Sequence, residues 1–186
     1  MAAAAAHATR VWNALQHQRS HVSNGRRVVD AFAGFDTKAV ELFGMFPRVL
    51  HVKTGGTVMW HFRHLRFEPH SVVFPAGTAQ RISTGPPPLC EPNHGSKDVP
   101  ATRKFTCPKG SHGPVEIELD PRLLKPGGSH SVTSASGYHN SGARGGFDIA
   151  NSRPYSLRFP VHSPRHGFRY ACGVHGLMMT GFVKVR

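Results

Sequence analysis

Residues 170–186, YACGVHGLMMTGFVKVR, place a thiol, an imidazole and two thioethers within eight positions: Cys172, His175, Met178 and Met179. Phe168, Tyr170 and Cys172 recur at period two, so on a strand they share one face. Two aromatics on that face turn it toward a core. This predicts a strand over 168–172 with Cys172 at its inner end. Residues 181–185 read as a returning strand, and the loop between is expected to bring His175 and one methionine back to Cys172. Thiolate, imidazole and thioether form a soft donor set, suited to copper rather than to calcium, magnesium or manganese.

A cysteine-centred copper site takes two histidines and one thiolate, with a long axial methionine. One histidine must therefore come from elsewhere in the chain. The candidate is His70, in EPHSVVFPAG, where residues 70–74 read as a short strand. Further upstream, FPRVLHVKTGGTVMWHF over 46–62 reads as two strands turned at Gly55-Gly56, with Trp60 in the core. Residues 27–35, 115–119, 130–134 and 155–159 add further strands. With Gly 20 and Pro 15 supplying turns, the expectation is an all-β sandwich or Greek-key barrel. Residues 1–25 are an N-terminal extension, in which Val11, Trp12 and Leu15 form a weak helical stripe and Ser20, Ser23, Asn24 and Gly25 break it. Residues 26–186 form the domain. Within it, 77–150 carries a large loop insertion, with GPPPLCEPNHG and CPKGSHGP as its loop chemistry and 135–153 irregular.

Several of these segments together resemble the cupredoxins, the plastocyanin, azurin and amicyanin family of small blue copper proteins. The pattern Cys172-x2-His175-x3-Met179-x-Gly181 followed by a strand is similar to the family's C-terminal ligand loop. FPRVLHVKTGGTVMW resembles the strands before its first ligand, PHSVVF the first-histidine segment, and SPRHGFRYAC the approach to the ligand cysteine. The resemblance covers Phe46–Phe74 and Tyr155–Arg186. It implies a cupredoxin-like Greek-key β-sandwich holding one type 1 copper ion. His70, Cys172 and His175 would be the equatorial ligands and Met179 the axial one, with Met178 the alternative. It also implies a Ser71 N–H donating to the Cys172 sulfur and electron exit through His175 beside Gly176 and Leu177. Three features depart from the family: Ser71 stands where Asn often follows the histidine, the stretch from His70 to Cys172 is long, and Gly56 replaces a frequent acidic residue.

The implied function is one-electron carriage by outer-sphere transfer, without enzymatic turnover. Copper delivery without electron shuttling is one alternative. The other is a basic cupredoxin-fold protein that binds anionic partners. Lys+Arg 23 against Asp+Glu 10 gives a formal charge of +13, which would steer an acidic redox partner. The basic residues are scattered and no RNP-like motif is present, so dedicated nucleic-acid binding is not expected. No stretch reaches the ~18 apolar residues of a membrane span. The expectation is a monomer in the periplasm or outside the cell, its leader removed and Met1 an addition. Cys90 and Cys107 read as a disulfide of an oxidising compartment, with free thiols or a second soft-metal site including His94 and His112 as the alternatives. His61 with His64, and His162 with His166, read as ordinary surface or core histidines. No catalytic triad, P-loop or dinucleotide fingerprint is found.

Overall fold

The computed structural model describes residues 2–37, 40–62, 65, 68–84, 89–92, 99–100, 109, 111–116, 120–146 and 153–186. The chain runs α1 (Ala2–Leu15), β1 (Arg19–Ser23), β2 (Arg26–Asp36), β3 (Glu41–Phe46), β4 (Val49–Val52), β5 (Gly56–His61), β6 (Val73–Phe74) and α2 (Ala76–Thr84). It continues with β7 (Leu89–Pro92), β8 (Val99–Pro100), β9 (Ser111–Glu116), a 3-10 turn at Pro121–Leu123, β10 (Gly127–Gly128), β11 (His139–Asn140), β12 (Tyr155–Phe159), β13 (Phe168–Cys172) and β14 (Gly176–Val185).

Met1–Ser83 and Arg122–Arg186 form one compact unit and Thr84–Pro121 a second. In the first, one sheet runs β1-β2-β5-β12 with β3 also on β2, and the other runs β10-β11-β6-β13-β14-β4. The inward positions of both sheets meet in one core: Ala31, Val58, Trp60, Leu157 and Phe159 from the first, Leu50, Tyr170, Val183 and Val185 from the second. The fold is the expected all-β sandwich. Trp60 is fully buried against Tyr170 at 5.3 Å, and Phe74 stacks on Tyr170 at 4.9 Å. The second unit contains an antiparallel sheet in the order β8-β7-β9.

Local details differ from the sequence reading, each for a physical reason. Gly55-Gly56 does not close a hairpin. β4 pairs in parallel with β14, whereas β5 pairs with β2 and β12 in the other sheet. The turn hands the chain from one sheet to the other, and an alternating pattern cannot name its pairing partner. Residues 19–23 lie in the expected extension yet form β1 on β2, with Asn24 (φ 50°) and Gly25 (φ 70°) as a two-residue turn. α1 starts at Ala2, since alanine is the best helix former. Its Ala8, Val11 and Leu15 pack on Leu42 and Phe46, and Trp12 meets Phe46 edge-on at 4.7 Å.

α2 was hidden inside apparent loop chemistry. Pro75 precedes it, and Ala76, Ala79 and Ile82 bury their shared face on Val73, Leu123 and Ala171. Residues 130–134 contribute only a single bridge, Ser131 to Arg158. Of the expected strand at 115–119, β9 reaches Glu116, and 117–119 lie outside the described residues. The last strand begins at Gly176, five residues before the expected 181, so the loop after Cys172 is only Gly173 to His175.

Candidate metal centre

The β13–β14 pairing builds the site. Phe168 faces Val183, Tyr170 faces Gly181 and Ala171 faces Thr180, but Cys172 pairs with Gly176. Residues 177–179 are therefore extra on β14, and the strand bulges there. The bulge sorts the two methionines: Met179 is fully buried in the core that also holds Cys172, and Met178 is 70% exposed. α2 pins the bulge from outside, because Gln80 Oε1 accepts the Leu177 N–H at 2.9 Å.

His70 arrives on a different support. It lies ahead of β6, where its N–H donates to Arg144 O at 2.9 Å and its carbonyl accepts from Arg144 N at 2.8 Å. Its ring is fully buried over Gly34. Gly34 sits at a bulge between β2 and β3 with φ 73°, and a Cβ there would lie 2.2 Å from the ring. A glycine between Ala33 and Phe35 in an alternating strand is a signal for close approach, one the sequence reading passed over.

The donors converge. His70 Nδ1 and His175 Nδ1 are 3.1 Å apart, and Cys172 Sγ is 4.0 Å from the first and 3.5 Å from the second. Two nitrogens about 2.0 Å from one ion and about 100° apart stand about 3.1 Å from each other, and a sulfur at about 2.3 Å stands about 3.7 Å from either. The observed triangle fits one ion. Among the described residues, this is the His/Cys/Asp/Glu cluster whose ligand atoms fit a metal. In donor types and in their order along the chain, it is cupredoxin-like.

The surroundings favour a thiolate. The Ser71 N–H donates to Cys172 Sγ at 3.3 Å. Serine in place of asparagine still ties the site together, because Ser71 Oγ accepts the Gly173 N–H at 2.7 Å. Burial opposes ionisation of Cys172, but hydrogen bonds from His175 and His70 and the charge of both rings outweigh it. The thiol is brought down from 9.0 to about 5. Burial likewise works against a charged His175, yet the bond to the Cys172 sulfur and the bond to Glu68 raise it from 6.5 to about 9.

On the outer side, His175 Nε2 donates to Glu68 Oε2 at 2.7 Å, whereas His70 Nε2 is 3.6 Å from Glu41 Oε1. Burial pushes the Glu41 carboxyl up, and Asp36 and Glu68 add to that push. Phe43 stands edge-on to both rings, 6.0 Å from His70 and 5.0 Å from His175. Glu68, Glu41, Phe43 and Gly34 were all missed by sequence reasoning. Only the proximity of Glu68 to His70 in EPH, and the strand glycine, offered any signal. Gly176, expected in a surface contact, is buried against Gln80 and Ser83, and Leu177 beside it is exposed.

Among the described residues, no other histidine or cysteine joins this cluster. His61 Nε2 is bound by Asp30 Oδ1 at 2.7 Å, and the same carboxylate holds His21 at 2.9 Å. His64 is outside the described residues, and His162 and His166 are exposed. The Cys90–Cys107 pairing also lies outside them: Cys107 and His94 are not described, and Cys90 and His112 only by their places in β7 and β9. Among the described residues there is no disulfide, and Cys172 is a free, buried thiol.

No family model matches the sequence, and no curated protein does. Among solved structures, the chain is similar to a rusticyanin from a pair of variants, serine-to-aspartate and methionine-to-leucine, at 14% identity over 96% of this chain and 94% of that one, with a TM-score of 0.32. It is similar to rusticyanin from Thiobacillus ferrooxidans at 14% identity over 96% and 93%, with a TM-score of 0.31. Rusticyanin is there a copper protein. The centre stands on its own donors.

Proposed function

We propose that the protein is a type 1 copper protein that carries one electron at a time. His70 Nδ1, Cys172 Sγ and His175 Nδ1 would hold the ion, with the Met179 thioether as a fourth, weaker donor. The observation that supports this most is the triangle of two imidazole nitrogens, one buried and one half-buried, around a buried thiol brought down to about 5. Copper, when bound, supplies the one-electron couple. Met179 is favoured over Met178 because only its thioether is buried.

The chain's own groups do the rest. Ser71 and Gly173 hold the thiolate in place through backbone N–H and side-chain oxygen. Tyr170, Phe74 and Trp60 keep the inner side dry. The buried frame around His70 resists movement, so the ligand positions change little between oxidation states. Electrons pass at the outer edge of His175, where exposed Phe43, Leu177 and Met178 offer a weakly polar contact. The +13 charge steers an acidic redox partner, with an on-rate that falls as salt rises. We place such a monomeric carrier in the periplasm or outside the cell, as the cupredoxin resemblance implies. A closed ligand set leaves no coordination position for a substrate, which favours a carrier over an enzyme.

The test adds Cu(II) to wild type and to Cys172→Ala. An intense visible thiolate-to-copper band is expected in the first and not in the second. Reversible reduction with the band returning on reoxidation separates electron carriage from delivery. A wild-type protein with no such band refutes the proposal.

A further inference from the structure

The two imidazoles of the centre are backed unequally. Glu68 Oε2 lies 2.7 Å from His175 Nε2, a charge-assisted hydrogen bond, but Glu41 Oε1 stands off His70 Nε2 at 3.6 Å, and among the described residues neither of those two atoms has a hydrogen-bond partner. A bond at Nε2 decides which tautomer His175 presents, leaving Nδ1 free to face Cys172. The position of Glu68 is built rather than incidental. Pro69 follows it directly, and the backbone from Glu68 to Pro69 rests on Gly146, where a Cβ would lie 2.7 Å from Pro69 N. His70 comes next and is locked to Arg144. The segment that delivers one imidazole therefore also delivers the carboxylate that holds the other.

We propose that Glu68 is a positioning residue of the copper centre, orienting His175 through Nε2 and lowering the reduction potential by its negative charge. The proposal rests on the copper reading above. The chemical logic is direct. An anion beside the ligand favours Cu(II) over Cu(I), because the oxidised ion carries one more positive charge. Glu68 also lies against the imidazole edge by which electrons leave, so the charge sits where a partner makes contact. In a chain of net +13, Glu68 joins Glu41 and Asp36 as negative charge at this centre, and it is the one of the three hydrogen-bonded to His175.

The experiment compares reduction potentials of the copper-loaded wild type, Glu68→Gln, Glu68→Ala and Glu41→Gln. Both Glu68 variants are expected to raise the potential, by about tenfold in the Cu(I) to Cu(II) ratio at a fixed ambient potential, or ~59 mV for one electron. Glu41→Gln is expected to move it less, since that carboxylate lies beyond hydrogen-bond distance. A second readout uses the copper-free protein. The His175 Nε2 proton should exchange slowly in wild type and Glu68→Gln, and rapidly in Glu68→Ala. Unchanged or lowered potentials in both Glu68 variants, with the visible band intact, overturn the proposal and leave the copper reading standing. Absence of the band in wild type removes both.

Discussion

His70 and His175 face the same thiol from opposite kinds of surroundings. His70 is sealed: no part of its side chain is exposed, Gly34 clears space for its ring, and its backbone is bridged on both sides to Arg144. His175 sits on a three-residue loop at the rim, its ring in reach of solvent and its outer nitrogen on an exposed carboxylate. One imidazole is held by the frame, the other by a loop and a surface anion. In the proposed carrier, such a centre would keep its geometry at the inner wall and meet a partner at the outer one.

The largest expected effect comes from removing each ring in turn. His70→Gly and His175→Gly should both lose the visible copper band. Added imidazole should restore it in His175→Gly, whose cavity opens to solvent, and not in His70→Gly. Equal rescue of both would erase the distinction between frame and rim, and absorption spectra decide it.

The frame itself is tested next. Gly34→Ala forces a Cβ into the buried His70 ring at a positive φ, and is expected to cost about 3 kcal/mol in denaturant unfolding and to distort the band. Gly25→Ala, also at positive φ but with open space around it, should cost about 1 kcal/mol and leave the band alone.

A third test uses pH on the copper-free protein. Taken alone, the depressed Cys172 value contributes stability that is fully present above 9.0 and gone once pH has fallen through about 5. Taken alone, the raised His175 value contributes stability that is fully present below 6.5 and gone once pH has risen through about 9. Much of both is one shared thiolate–imidazolium contact, which is intact only between about 5 and about 9. The stability gap between wild type and Cys172→Ala should narrow on the acid side to the packing cost of the truncation, and ultraviolet thiolate absorbance should vanish with a midpoint near 5.

The smallest stability effects separate the two methionines. Met179→Leu keeps volume in the core and should cost less than about 1.5 kcal/mol, while raising the potential by removing the thioether. Met178→Leu, at the exposed position, should change neither quantity. Cyclic voltammetry with thermal unfolding checks both.

Much of this cluster is legible in the sequence. The period-two spacing of Phe168, Tyr170 and Cys172 turned the thiol inward, and the order of His70, Cys172, His175 and methionine pointed to one soft ion. Strands over 155–159 and 168–172 fall where alternation put them. The reading weakened wherever the outcome depended on a partner distant in sequence. β4 and β5 alternate equally well whichever sheet receives them. α2 is short and carries glycine, serine and threonine, so its helical face is apparent only beside Val73 and Ala171.

Sequence alone determined which donors were present and that a strand would carry the cysteine into the core, because side-chain chemistry and strand periodicity are local properties. Tertiary structure decided which methionine is buried, which glycine makes room for a ring, and which carboxylate faces each imidazole. Those outcomes follow from a bulge in one strand pair and from segments brought together across the sandwich, and neither is encoded within any single stretch of chain.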